Sequence, residues 1–145
     1  MHPFHWLTRA LDLLDSADPA LRAPLAISLG AVPGALSRYY LTLGLGEWLG
    51  ADFPYGTFVA NLSGALIMGF FTSLALERGM ISPDLRLLIA VGFLGSYTTF
   101  STYALDTVNL FQMGDRWLAW GYWLGTAFLG LVSVEVGSFL ARRLP

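Results

Sequence analysis

Four runs of apolar residues, each close to the ~20 residues that carry a helix across a bilayer core, occupy most of this chain. They lie at about Leu25–Leu45, Pro54–Leu76, Leu85–Phe111 and Trp117–Leu140. The connections Gly46–Phe53, Glu77–Asp84 and Gln112–Arg116 are too short to hold a domain outside the membrane. The 55% hydrophobic and 12% charged content of the 145 residues points the same way. Water is absent from the bilayer core, so every backbone N–H and C=O there needs an internal partner, and helices satisfy that need. The expected fold is an all-α integral membrane protein, with one four-helix transmembrane domain over residues 25–145 and no internal repeat.

Composition also narrows the chemistry. With no cysteine there is no disulfide framework or thiolate metal site, and the two histidines, His2 and His5, sit at the N-terminus. Asp106 and Glu135 lie on different spans without a visible nucleophile, so an enzyme is not expected. The net charge of −2 is too small to imply a nucleic-acid partner.

Residues 1–24 read as an N-terminal surface segment. Phe4, Leu7, Leu11 and Leu14 share one helical face opposite Arg9, Asp12 and Asp15, which predicts an amphipathic helix over residues 3–15 lying on the membrane; the alternative is a frayed polar tail. The same charges interrupt any signal-peptide core, so the segment is expected to stay in the mature protein. Arg9, Arg22, Arg78, Arg86, Arg142 and Arg143 flank one side of the spans and Arg116 alone flanks the other. The positive-inside rule then puts both termini in the cytoplasm, with Trp48, Tyr55, Trp117 and Trp120 as anchors at the far boundary.

Small residues recur four apart within the spans: Gly30 and Gly34, Gly56 with Ala60 and Gly64, Ala65 and Gly69, Gly121 and Gly125, Ser133 and Gly137. They predict close helix packing and an oligomer. Polar residues at membrane depth carry more information, because they need partners: Arg38, Asn61, Asp106 and Glu135, together with a run of five Ser/Thr in the seven residues from Ser96 to Thr102. Arg38 and Asp106 fall at similar depth on parallel spans, which predicts an ion pair; the alternative is that Arg38 snorkels to the interface.

The polar run predicts a broken third helix. Gly92 and Gly95 allow unwinding there, and carbonyls freed at mid-membrane are hard oxygen ligands suited to an alkali cation. Beyond them, Phe100 and Tyr103 share a face. Two ring edges, electropositive by their quadrupole, beside the hydroxyls of Ser101 and Thr102 and the amide of Asn61 suit a small desolvated anion. The plainer alternatives are a packed aromatic pair, hydroxyls bonded to their own backbone, and an interhelical Asn bond.

Three stretches, Gly34-Ala35-Leu36-Ser37-Arg38-Tyr39, Gly56-Thr57-Phe58-Val59-Ala60-Asn61-Leu62-Ser63-Gly64 and Gly92-Phe93-Leu94-Gly95-Ser96-Tyr97-Thr98-Thr99-Phe100-Ser101-Thr102, resemble the signature segments of the CrcB/Fluc fluoride channel family. The resemblance implies a four-span subunit of an antiparallel, dual-topology dimer with two fluoride pores and a structural Na⁺ on the two-fold axis. Carried over by position, it implies Na⁺ on the backbone carbonyls of Gly95 and Thr98 from both subunits, and ring-edge contacts to fluoride from Phe100 and Tyr103. It further implies donation from Asn61, a polar track through Ser101 and Thr102, an acidic residue at Asp106 and the span-one arginine at Arg38.

Three positions depart from the pattern: Tyr103 stands where phenylalanine is typical, Ser96 where a second glycine is typical, and Glu135 has no counterpart. The arginine asymmetry favours one insertion direction, whereas an antiparallel homodimer needs both; the homodimer is preferred, and a heterodimer with an oppositely oriented paralogue is the alternative. The implied function is passive, fluoride-selective export through the cell's plasma or inner membrane, which lowers fluoride toxicity. Rival readings are a small drug/proton antiporter resembling the small multidrug resistance family and a non-transporting subunit of a membrane complex. The first needs a span-one carboxylate, yet no acid lies between Asp18 and Glu47, and the second leaves the polar run unexplained.

Overall fold

The computed structural model describes residues 5–15, 17–77 and 79–144; side chains of residues 5–7, 11 and 15 are outside that description. Every described element is helical. α1 spans His5–Asp15, α2 Pro19–Leu49 and α3 Tyr55–Leu76. α4, Pro83–Arg86, runs directly into a π-helical stretch, Leu87–Leu94, and then into α5, Gly95–Tyr97. α6, Phe100–Gln112, and α7, Arg116–Arg143, complete the chain. Among the described residues, four stretches are long and apolar enough to cross a membrane: Pro19–Leu49, Tyr55–Leu76, Pro83–Gln112 and Arg116–Arg143.

The spans match the sequence expectation in number, and the first begins earlier than Leu25. Asp18 caps α2 by accepting from the Ala20 N–H at 2.8 Å, and Pro19 stands at the first helical position, where its missing N–H costs nothing. Arg22, which hydropathy places outside the span, pairs with Asp84 at the start of the third span, Nε to Oδ2 2.8 Å. A cross-helix ion pair thus ties the two helix starts together.

Two seams hold the bundle. In one, α2 packs on the π-helical stretch: a side chain on Gly30 would strike the Leu88 carbonyl oxygen, and one on Gly92 the Ile27 carbonyl at 2.5 Å. In the other, α3 packs along α7, where Gly69 faces the Val134 carbonyl, Gly137 faces the Leu66 carbonyl, and Ser138 Oγ donates to the Gly69 carbonyl at 3.2 Å. Such contacts replace the hydrophobic effect that lipid-immersed helices lack. Gly121 and Gly125, expected to pack likewise, do not: a methyl group added to either would meet nothing within 4 Å among the described residues, so their face of α7 is open in a single copy.

Ala10 and Leu14 of α1 are buried in a cluster with Ala26 and Leu88, so this face of the N-terminal helix meets protein. The remaining residues of its expected apolar face, Phe4 and the side chains of Leu7 and Leu11, fall outside the described residues, as do Arg78 and His2. A second cluster, Tyr103, Leu110, Ala119 and Tyr122 with Phe53, Phe58, Phe111 and Leu118 packed against it, fixes α6 to the first half of α7.

Gly92 and Gly95, expected as the point of unwinding, are both within helical segments, and Gly95 has φ −63° and ψ −28°. The extended residues come later: Thr98 has φ −82°, ψ 156° and Thr99 φ −151°, ψ 125°. Gly92 serves close packing instead, because its missing side chain admits the backbone of α2.

Candidate functional site

An extended pair of residues inside a span surrenders helical hydrogen bonds, each worth several kcal/mol where water cannot substitute. The side-chain donors and acceptors that take their place define the site. Thr99 is held by Asn61 of α3 through both amide atoms: its N–H donates to Asn61 Oδ1 at 2.8 Å, and its carbonyl accepts from Asn61 Nδ2 at 3.0 Å. Ser96 O accepts from Arg38 Nε of α2 at 3.2 Å. The Thr98 N–H keeps its helical acceptor, Leu94 O, at 3.0 Å, and Thr98 Oγ1 donates to the same carbonyl at 2.9 Å. Thr99 Oγ1 then caps α6, accepting from the Thr102 N–H at 3.3 Å.

This rearrangement leaves particular acceptors behind. In a continuous helix Gly95 O would accept from Thr99 N–H, and Thr98 O from Thr102 N–H. The first donor goes to Asn61 and the second to Thr99 Oγ1. Gly95 and Thr98 are therefore carbonyls whose helical donors are diverted, while Ser96 O has Arg38 in place of its own.

Beside the interruption lies a groove of about 440 Å³ between α3 and α7, lined by Asn61, Thr98, Thr99, Phe100, Tyr103 and Thr126 among others. Phe100 is 80% exposed, although it adjoins a polar interruption at mid-span. Ser101 is exposed and Thr102 half-buried, and Thr99 Oγ1 links them, 3.3 Å from Ser101 Oγ and 3.1 Å from Thr102 Oγ1. The hydroxyls thus form one short chain starting at the cap of α6. Asn61 Nδ2 carries two hydrogens; one is committed to Thr99 O, and the second has no acceptor among the described residues.

Tyr103 differs from Phe100. It is 7% exposed, its ring centroid is 5.8 Å from that of Phe100 and 5.5 Å from that of Tyr122, and its hydroxyl donates to the Trp123 carbonyl at 2.6 Å. That proton is therefore spent on α7, and only the ring is turned toward Phe100.

The structure does not form the expected Arg38–Asp106 ion pair. Arg38 turns to Ser96 O, and Asp106 Oδ2 accepts from Tyr122 OH at 3.4 Å. Matching depth on two spans says nothing about azimuth, and each group found a partner on the face it presents. Asp106 also lines a smaller pocket with Asp52 and Asn109 at the far end of the bundle. Glu135 stands on the surface of α7 within 4.0 Å of Arg142 Nη2, away from the groove.

Sequence reasoning passed over residues that the fold brings here. Tyr122 and Thr126, four apart on α7, present their side chains to the same interior, and Thr126 Oγ1 is buried without a hydrogen-bond partner among the described residues where it lines the groove. Their spacing on one face of a span was the available signal. Ser63 and Tyr97 pair their hydroxyls at 3.0 Å, a contact between spans that no local pattern announces.

Fold and site together define a multi-pass helical membrane protein in which side chains of α2 and α3 hold the backbone at Ser96 and Thr99. Comparison with known proteins gives the particular family. Residues 25–138 match the family described as "CrcB-like protein, Camphor Resistance (CrcB)", and the chain belongs to it. A protein of Trichormus variabilis named "Fluoride-specific ion channel FluC" is 58% identical over 86% of this chain and 91% of its own length. Proteins of the same name from Synechocystis sp. and Synechococcus sp. are each 54% identical over 86% of this chain, covering 96% and 95% of their own lengths. Each of these relatives is named as an ion channel.

Proposed function

We propose that this chain is a subunit of a fluoride-selective channel in the plasma or inner membrane, which exports cytoplasmic fluoride passively and so reduces its toxicity. The observation that carries the reading is the grip of Asn61 on the extended Thr99 peptide, which keeps a polar stretch open at mid-span beside Phe100. The names of the relatives supply the ion.

Hydrogen fluoride is a weak acid that crosses membranes neutral and ionises in a near-neutral cytoplasm, where the anion is trapped. An inside-negative potential then drives fluoride outward, at ~2.3 kcal/mol per charge per 100 mV. The difficulty is dehydration, because an unpaired ion in apolar surroundings is costly by tens of kcal/mol. In this reading the second Asn61 Nδ2 hydrogen, the hydroxyls of Ser101 and Thr102, and the ring edges of Phe100 and Tyr103 replace lost water in turn. Tyr103 acts by its ring edge alone, since its hydroxyl is committed to Trp123 O. Asp106 and Arg38 border the path, the latter through its hold on Ser96 O.

The reading includes a functional break in the third helix and an antiparallel, dual-topology dimer. Support for the second copy comes from what one copy leaves uncovered: Phe100, the hydroxyl of Ser101 and the open glycine face at Gly121 and Gly125. A homodimer is preferred, and a heterodimer with an inverted paralogue satisfies the same surface. The carbonyls of Gly95 and Thr98, with their helical donors diverted, fit half of a hard-oxygen site for Na⁺, which two copies would complete. When bound, Na⁺ would supply a fixed positive charge that favours an anion nearby.

The test is fluoride efflux from liposomes reconstituted with the full chain, followed with a fluoride electrode and with chloride as the control. Fast fluoride release with chloride retained is expected. Retention of fluoride, or release of both ions alike, would overturn the proposal.

A further inference from the structure

We infer that the Ser63–Tyr97 hydroxyl pair is a positioning strut for conduction: it fixes where the helix stops, and so keeps Thr98–Thr99 extended. The inference rests on the reading above that this interruption borders the ion path.

The four residues from Ser96 to Thr99 are gripped one after another. Ser96 O takes Arg38, Thr98 takes Leu94 O, and Thr99 takes Asn61. Tyr97 is the remaining member, at the end of α5, and it is held through its side chain. Its hydroxyl lies 3.0 Å from Ser63 Oγ, and its ring stacks on Phe93 with centroids 5.8 Å apart and planes at 15°. Ser63 Oγ is 2.6 Å from Val59 O, one helical turn back, so its only hydrogen goes there. The tyrosine therefore donates, in a directed chain from Tyr97 OH to Ser63 Oγ to Val59 O. Gly64 adjoins the same place: a side chain there would collide with the Thr98 methyl and press the Tyr97 ring at 3.2 Å. Asn61, Ser63 and Gly64 of α3 thus contact Thr99, Tyr97 and Thr98, and register across this surface is set by side-chain chemistry.

Removing the strut favours the competing conformation. If the last turn of α5 is free to rotate, the Thr99 N–H regains Gly95 O as its helical acceptor and the chain passes through as a helix. Extended and helical forms compete for the same donor, so a single hydrogen bond shifts their ratio by about tenfold. Tyr97 and Ser63 need no contact with fluoride to control the flux.

The experiment compares wild type, Tyr97→Phe, Ser63→Ala, the double variant, Ser63→Thr and Asn61→Asp, as purified full-length chains in liposomes. Fluoride efflux is expressed per folded oligomer, with yield and melting temperature measured alongside. Each single removal is expected to lower flux per oligomer by up to about tenfold. The double variant should lose no more than Tyr97→Phe, because both changes delete one bond, and Ser63→Thr, which keeps the hydroxyl, should restore flux. A merely structural role would lower yield or melting temperature and leave flux per oligomer unchanged. Wild-type flux per oligomer in Tyr97→Phe, or a product of the two losses in the double variant, overturns the strut. Should Tyr97→Phe not fold, Ser63→Ala and Ser63→Thr decide the matter alone. A silent Asn61→Asp beside a normal Tyr97→Phe would sink the strut alone; full conduction by both would sink the reading of the interruption as well.

Discussion

The α3–α7 seam and the interruption at Thr98–Thr99 both bring backbones into close contact without water, and they do so by opposite means. Along the seam, glycines remove side chains so that intact helices meet: Gly69 against the Val134 carbonyl, Gly137 against the Leu66 carbonyl. At Thr98–Thr99 the backbone is extended, and side chains from other spans bond the backbone around it, Asn61 on Thr99 and Arg38 on Ser96. The glycine contacts of the seam are made within one copy. The extended stretch leaves a half-used amide, a largely exposed ring at Phe100 and an exposed hydroxyl at Ser101. Stability and function should therefore separate by position.

Substitutions can break that separation or sharpen it. Among substitutions that only remove groups, the largest effect is expected from Asn61→Ala, which deletes both bonds to the Thr99 peptide. With two contributions of about tenfold each, fluoride flux per oligomer should fall about a hundredfold, as read by electrode in liposomes. Phe100→Ile keeps apolar bulk and removes the ring edge; a loss of about tenfold in flux, with the oligomer intact by size-exclusion chromatography, is expected. Gly137→Ala acts on the other region. Overpacking against the Leu66 carbonyl should destabilise by about 1–3 kcal/mol in denaturant unfolding, while flux per surviving oligomer stays at the wild-type value. Smallest is Tyr103→Phe, which removes the bond to Trp123 O and leaves the ring; about 1 kcal/mol of stability should go, with little change in flux.

The same contrast explains what can be read from the chain. The spans are legible because apolar length is a one-dimensional signal, and so is the location of a polar stretch, because five Ser/Thr in seven residues interrupt it. The point of extension is not legible: sequence favours Gly92 and Gly95, and the extended residues are Thr98 and Thr99. Glycine permits unwinding but does not dictate it, and Gly92 is needed for packing against α2. What decides is the partner across the gap: Asn61 reaches Thr99, and the helix opens there. Depth alone pairs Arg38 with Asp106, although helix rotation sends one to Ser96 and the other to Tyr122. Ser63 and Tyr97 stay hidden because their meaning lies in a contact between spans, which spacing along one helix does not encode.

The most direct test is the fluoride efflux of Asn61→Asp. The substitution keeps an oxygen for the Thr99 N–H and the shape of the side chain, and it replaces the amide donor with a second acceptor facing the Thr99 carbonyl. The prediction is a folded oligomer of wild-type size that releases no measurable fluoride. Efflux at the wild-type rate from that variant would contradict the account.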